Sequence, residues 1–176
     1  MKPNRLSSPR HLAIVFASFI SFFLLSSATL KAQAPVNFSG KWAYDKSKSN
    51  TDKGSLFTEG DEILVITQDA TSISVERTLI RPGSDNLTST DKFNLEGKEI
   101  IEKSDTETTK RTAKWSADKN VLTLTTIITF DPSVSTVEYR TDDNYKLTDN
   151  GKLLTLESIS KSPSGEGKTV QFWNKK

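Results

Sequence analysis

Arg77 and Arg111 are the side chains best suited to recognition chemistry in this chain. Each falls where alternate residues are apolar or uncharged, in Ile73-x-Val75-x-Arg77-x-Leu79 and in Thr109-x-Arg111-x-Ala113-x-Trp115. On a β-strand that spacing places the arginine on the same face as its apolar neighbours. A charge there is costly unless something answers it. The planar guanidinium fork suits a ligand carboxylate or phosphate. The alternative is an interior acid such as Asp91 or Glu107.

Trp42, Tyr44, Trp115, Phe130 and Tyr139 either line a pocket with the arginines or, more simply, fill the core, since aromatic side chains dominate core burial. Four acidic groups, Asp45, Asp61-Glu62, Asp142-Asp143 and Glu99 with Glu102, read as loop and outer-face charge. None has the spacing of a calcium-binding loop, and no metal site is expected.

What is missing narrows the chemistry further. The sequence has no cysteine, and its one histidine is His11. That residue lies in a leader described below, so the remainder has neither residue type. Ser-His-Asp and Cys-His catalysis are excluded there, as are zinc sites built from Cys or His. Carboxylates, Lys, Tyr and hydroxyls remain for an enzyme, but no two of them show a telling arrangement. No catalytic residue and no cofactor are assigned.

The elements that must position these residues are strands. Val, Ile, Thr and aromatic residues alternate along short runs, the pattern of a pleated, half-buried surface. Ten strands are expected, at 38–45, 62–69, 72–80, 87–95, 98–104, 107–116, 121–130, 135–147, 153–161 and 168–174. Turn residues separate them, and Asn150-Gly151 is the strongest hairpin signal. The polar stretch 46–61 is the best place for a short helix or lid. Tight hairpins without a long crossover predict an all-β, antiparallel up-and-down barrel of eight to ten strands. An open sandwich is the structural rival. On the later strands, Leu154 and Leu156, then Val170 and Phe172, are taken as inward, and Trp173 as outer or closing the seam.

Residues 1–34 read as a signal peptide: Lys2, Arg5 and Arg10, an apolar run from Leu12 to Leu25, then small residues. Cleavage after Ala28, Ala32 or Ala34 is compatible with the sequence. The apolar run is shorter than the roughly 20 residues that span a bilayer, so no membrane span is expected in the mature form. The expected location is periplasmic or secreted. The leader holds four basic and no acidic residues, leaving 20 basic against 22 acidic in residues 35–176. The basicity of the whole chain belongs to the leader, and nucleic-acid binding is not expected.

The barrel domain, 35–176, opens on Phe38-Ser39-Gly40-Lys41-Trp42-Ala43-Tyr44-Asp45. Gly40 allows a bend or close approach, and Trp42, on the same face, can floor a barrel. This G-x-W string resembles the opening of lipocalin-like, or calycin, barrels and of small secreted bacterial proteins of that kind. Tyr145 to Leu156, Pro163, Gly165 and Val170-Gln171-Phe172-Trp173 are similar to their closing hairpins. The resemblance implies a closed barrel whose first strand pairs with its last. It departs in having no cysteine, and in offering Lys168 and Gln171 where lipocalins have an arginine capping the tryptophan. The implied function is interior binding of a small apolar or amphipathic molecule, with an anionic head near Arg77 or Arg111. A solidly packed barrel with a structural or envelope-interaction role is the alternative. A carboxylate- or Tyr-based enzyme is the third reading.

Overall fold

The computed structural model describes residues 34–49, 61–130 and 137–176. The leader, apart from Ala34, lies outside the described residues, and so does most of the expected lid. Of the lid, 46–48 form a turn after the first strand.

The described residues form ten strands: β1 (Gly40–Tyr44), β2 (Asp61–Gln68), β3 (Ser72–Ile80), β4 (Leu87–Asn94), β5 (Ile100–Lys103), β6 (Glu107–Trp115), β7 (Val121–Phe130), β8 (Glu138–Thr148), β9 (Leu153–Ser162) and β10 (Gly165–Lys175). They form one antiparallel sheet in the order β4-β3-β2-β1-β10-β9-β8-β7-β6-β5. A sandwich would need two sheets. β1 lies between β2 and β10, with Trp42 opposite Lys175 and Tyr44 opposite Trp173. Joining the first strand to the last curls the sheet into a barrel. The two end strands of the order are β4 and β5, so the cylinder is nearly closed rather than continuously laddered. Across that seam Arg111 on β6 reaches Asp91 on β4 at 2.9 Å.

Side chains alternate across this wall, and one set fills an apolar end. Phe38, Trp42, Leu64, Ile66, Ile73, Val75, Phe93, Ala113, Leu122, Leu124, Tyr145, Leu154, Leu156 and Trp173 are buried together. A segment before β1 plugs this end. Gln68 accepts the Phe38 N–H at 2.9 Å and donates to the Val36 carbonyl at 3.0 Å. Phe38 then stacks on Trp115, and Tyr145 meets it edge-on.

Trp42 is the floor of the barrel. It is fully buried, and its indole N–H donates to the Phe38 carbonyl at 3.1 Å. Gly40 has φ +151°, and a Cβ there would press on the Lys175 side chain at 3.1 Å. The bare backbone therefore lets Lys175 lie over the indole, with Nζ 5.2 Å from the ring centre, a cation–π contact. The cation over the tryptophan is thus Lys175, not Lys168 or Gln171. Lys168 instead pairs with Glu157 on the adjoining strand, both side chains well exposed.

The inward face of β10 also differs from the expectation. Leu154 opposes Trp173 and Leu156 opposes Gln171, so Gln171 and Trp173 point inward and Val170 and Phe172 outward. The run Val170-Gln171-Phe172-Trp173 has large apolar groups in both phases, and neighbouring strands fix which phase faces in. The β8–β9 hairpin turns where Asn150-Gly151 requires it, with positive φ at Asp149, Asn150 and Gly151.

Leu64 is fully buried whereas its neighbour Val65 is 36% exposed. Leu64→Ala should cost about 2–5 kcal/mol in denaturant unfolding. Val65→Ala should cost less than about 1 kcal/mol. Equal losses would contradict the assigned faces.

Candidate functional site

Beyond the apolar end, the inward face turns polar. β2 places Glu62 in phase with Leu64 and Ile66. β3 places Arg77 two residues beyond Val75, and β4 places Asp91 two before Phe93. β6 contributes Thr109 and Arg111, β7 Thr126, β8 Asp143 and β9 Ser158. Their facing is fixed by the registers Leu64 with Arg77, Val75 with Asp91, Arg111 with Thr126, Leu124 with Asp143, and Asp143 with Ser158. Alternation carried past the end of a hydrophobic layer thus builds a belt of charge inside the barrel.

The belt encloses a cavity of about 110 Å³ lined by Val75, Arg77, Asp91, Phe93, Leu124, Thr126, Asp143 and Tyr145. Arg77 donates to Glu62 at 2.8 Å, and Glu62 is only 4% exposed. The Arg77 guanidinium also lies 5.4 Å over the Trp173 ring, which Tyr44 flanks at 5.0 Å. Arg111 bonds to Asp91 through Nε at 3.0 Å and to Glu102 through a terminal nitrogen at 2.8 Å. Burial works against the Arg111 charge, but the hydrogen bond and field of Glu102, together with Asp91, outweigh it and hold its pKa above the ordinary value.

Asp143 is the least favourably placed acid of this belt. Burial pushes its carboxyl above the ordinary range, and neighbouring Asp91 and Asp142 push the same way. The Ser158 hydroxyl, which donates to it, and the field of Arg77 oppose that rise without cancelling it. Tyr145, two residues along the same face, is raised first by burial and then by the Asp143 charge. Two buried polar atoms on the inward face of β10, Gln171 Oε1 and Trp173 Nε1, have no hydrogen-bond partner among the described residues.

The sequence-derived candidates are dispersed by the fold. Arg77 lines the cavity, with Tyr44 near it through Trp173. Arg111 joins the belt at the seam. Trp42 and Trp115 belong to the packed apolar end. Phe130 and Tyr139 meet edge-on at the opposite end, 39% and 45% exposed. Both arginines are engaged by carboxylates, the alternative weighed from sequence: Asp91 holds Arg111 as expected, and Glu62 and Glu102, rather than Glu107, supply the other contacts. Outer-face charge is the wrong description of Glu62 and Asp143, which register turns inward. It holds for Asp142, which faces the other way and is held by Arg140 through two bonds of 2.8 and 2.9 Å. The signal that could have found Glu62 was its phase with Leu64 and Ile66. Among the described residues no three His, Cys, Asp or Glu side chains are grouped to hold a metal ion.

No protein-family model matches the sequence, and no curated protein matches it. Among solved structures, the chain is similar to a protein described as the REP1-NXSQ fatty acid transporter. Identity is 14%, the TM-score is 0.51, and the match covers 78% of this chain and 95% of that one. The fold is calycin-like. The zebrafish ileal bile acid-binding protein, complexed with cholic acid, aligns at 16% identity with a TM-score of 0.48, over 79% of this chain and 98% of that one.

Because the fold favours protonated Asp143, its contribution weakens stability as pH rises from the usual aspartate value of 3.8 through the raised one. Below both values the group is protonated whether folded or not, and the effect vanishes. Asp143→Asn keeps an acceptor for Ser158 and removes the buried charge. Its melting temperature should exceed that of the wild type at pH 7, with the gap closing towards pH 4. A deficit that persists across that range would show the carboxylate to be stabilising.

Proposed function

We propose that this protein is a binding module that holds a small apolar or amphipathic molecule inside the barrel. The observation that carries the reading is the polar belt around an internal cavity, set between an apolar floor and an inward face that turns apolar again at Ile128, Phe130 and Tyr139. Ligand sites are typically concave and mostly apolar, with a few placed polar groups. The fatty acid transporter that shares the fold supports a lipophilic occupant. Residues 1–34 support export, with the barrel acting in the periplasm or outside the cell. Among the described residues no helix is long and apolar enough to cross a membrane.

A second reading has its own observation. The cavity of about 110 Å³ is smaller than the roughly 300 Å³ at which pockets for whole drug-sized ligands begin. A barrel packed this tightly suits a structural or envelope-interaction role, in which only the outer surface meets partners.

Native mass spectrometry of the protein purified from its own host separates the two. Interior binding predicts a lipid-sized adduct that denaturation releases. Ligand at 100 times its Kd should add about 2.7 kcal/mol to stability, raising the melting temperature by roughly 5–10 °C. A clean apo mass, with no melting shift across a lipid and metabolite panel, would leave the packed-barrel reading.

A further inference from the structure

We propose that Glu62 sets the head-group preference of the barrel: by occupying Arg77 it leaves a belt that accepts hydrogen bonds, so the favoured occupant carries a hydroxyl or ammonium head rather than a carboxylate. This inference rests on the interior-binding reading above and names the ligand class for it.

The charge balance of the belt is the first ground. Arg77 and Arg111 bring two positive charges. Glu62, Asp91 and Asp143 bring three carboxyl groups, and Glu102, largely exposed on β5, adds a fourth at the edge. Each arginine is already held at hydrogen-bond distance by carboxylate, Arg77 by Glu62 and Arg111 by Asp91 with Glu102. Glu62 is the buried member of its pair, 3% exposed against 33% for Arg77, whereas Arg111, 12% exposed, is held by the more open Asp91 and Glu102. An arriving carboxylate would have to displace one of these acids. Displacing Glu62 would strand a buried carboxylate, and losing one partner of a buried pair is strongly destabilising. Leaving both pairs intact would set the new anion against Asp91 and Asp143, which share the cavity wall with Arg77. Like charges at close range oppose each other's ionisation.

A donor meets the opposite circumstances. A carboxyl group offers about four lone-pair positions, and Ser158 occupies one of those on Asp143. Asp91 and Thr126 add further acceptor oxygens to the cavity wall. The space suits a head group rather than a whole amphiphile, since one water needs about 10–15 Å³ of such space and the cavity is about 110 Å³.

Calorimetric titration at neutral pH with 1-octanol, octylamine and octanoate tests this, because the three probes share a tail and differ in the head. The wild type should bind octanol or octylamine at least tenfold more tightly than octanoate. Glu62→Gln keeps the side-chain shape and removes the competing charge, leaving Arg77 without its counter-ion. It should raise octanoate affinity by about tenfold or more, as loss of a close charge partner typically changes binding, with octanol little altered. Octanoate binding the wild type as tightly as the other two would overturn the proposal while leaving interior binding in place. So would a folded Glu62→Gln protein with an unchanged octanoate-to-octanol ratio. Failure of all three probes to bind the wild type would remove the interior-binding reading itself, and the proposal with it. The wild-type ranking decides the matter even where the variant does not fold.

Discussion

The pairing of β1 with β10 is the constraint on which the rest of the molecule depends. An antiparallel meander has two bare edges, and bare edges invite association with other chains. Here the first and last strands cover each other, and the sheet has to curl to let them meet. Trp42 is what makes the junction more than a row of backbone bonds. Its indole is held from one side by the Phe38 carbonyl and from the other by Lys175. Around the corner, Asp45 ties the same two strands. Its backbone N–H donates to the Phe172 carbonyl, and its carboxylate accepts from Ser47, Asn174 and Lys48. Those bonds, Ser47 first, draw the Asp45 pKa well below the ordinary aspartate range.

Closure at β1 and β10 moves the weak place elsewhere. β4 and β5 are the free ends of the ladder, and between them the wall relies on side chains. Arg111 reaches from β6 to Asp91 on β4 and to Glu102 on β5. The same guanidinium therefore serves the wall and the interior. Its two carboxylates hold it in the first role and remove it from the second as a site for anions.

Most of the architecture was legible in the sequence because β alternation and turn chemistry are local. The ten runs were visible, and the inward phase of β3, β6, β7 and β9 followed from Ile73, Ala113, Leu122 and Leu154. Arg77 and Arg111 were found for the same reason. The rest depends on which phase of a strand faces inward, and a one-residue slip in register reverses every side chain. Glu62 and Asp143 look like surface charge because acids on strands usually are. Only their phase with buried neighbours places them inside. On β10 both phases are apolar, so the choice of Trp173 over Phe172 is made by Leu154 and Tyr44. Lys175 lies at the end of a strand, where a lysine is commonplace and its position over an indole leaves no trace in the sequence.

Lys175 and Asn174 come some 130 positions after the residues they secure. The ends of such a long loop must find each other against a large entropy of closure, and contacts so distant in sequence slow a folding reaction. β2 to β4 and β6 to β9 can zip from their own hairpins, but the Trp42 floor has to wait for the far end of the chain. The seal of the cylinder is therefore the contact of longest sequence separation in the fold, and the one whose loop-closure cost is greatest.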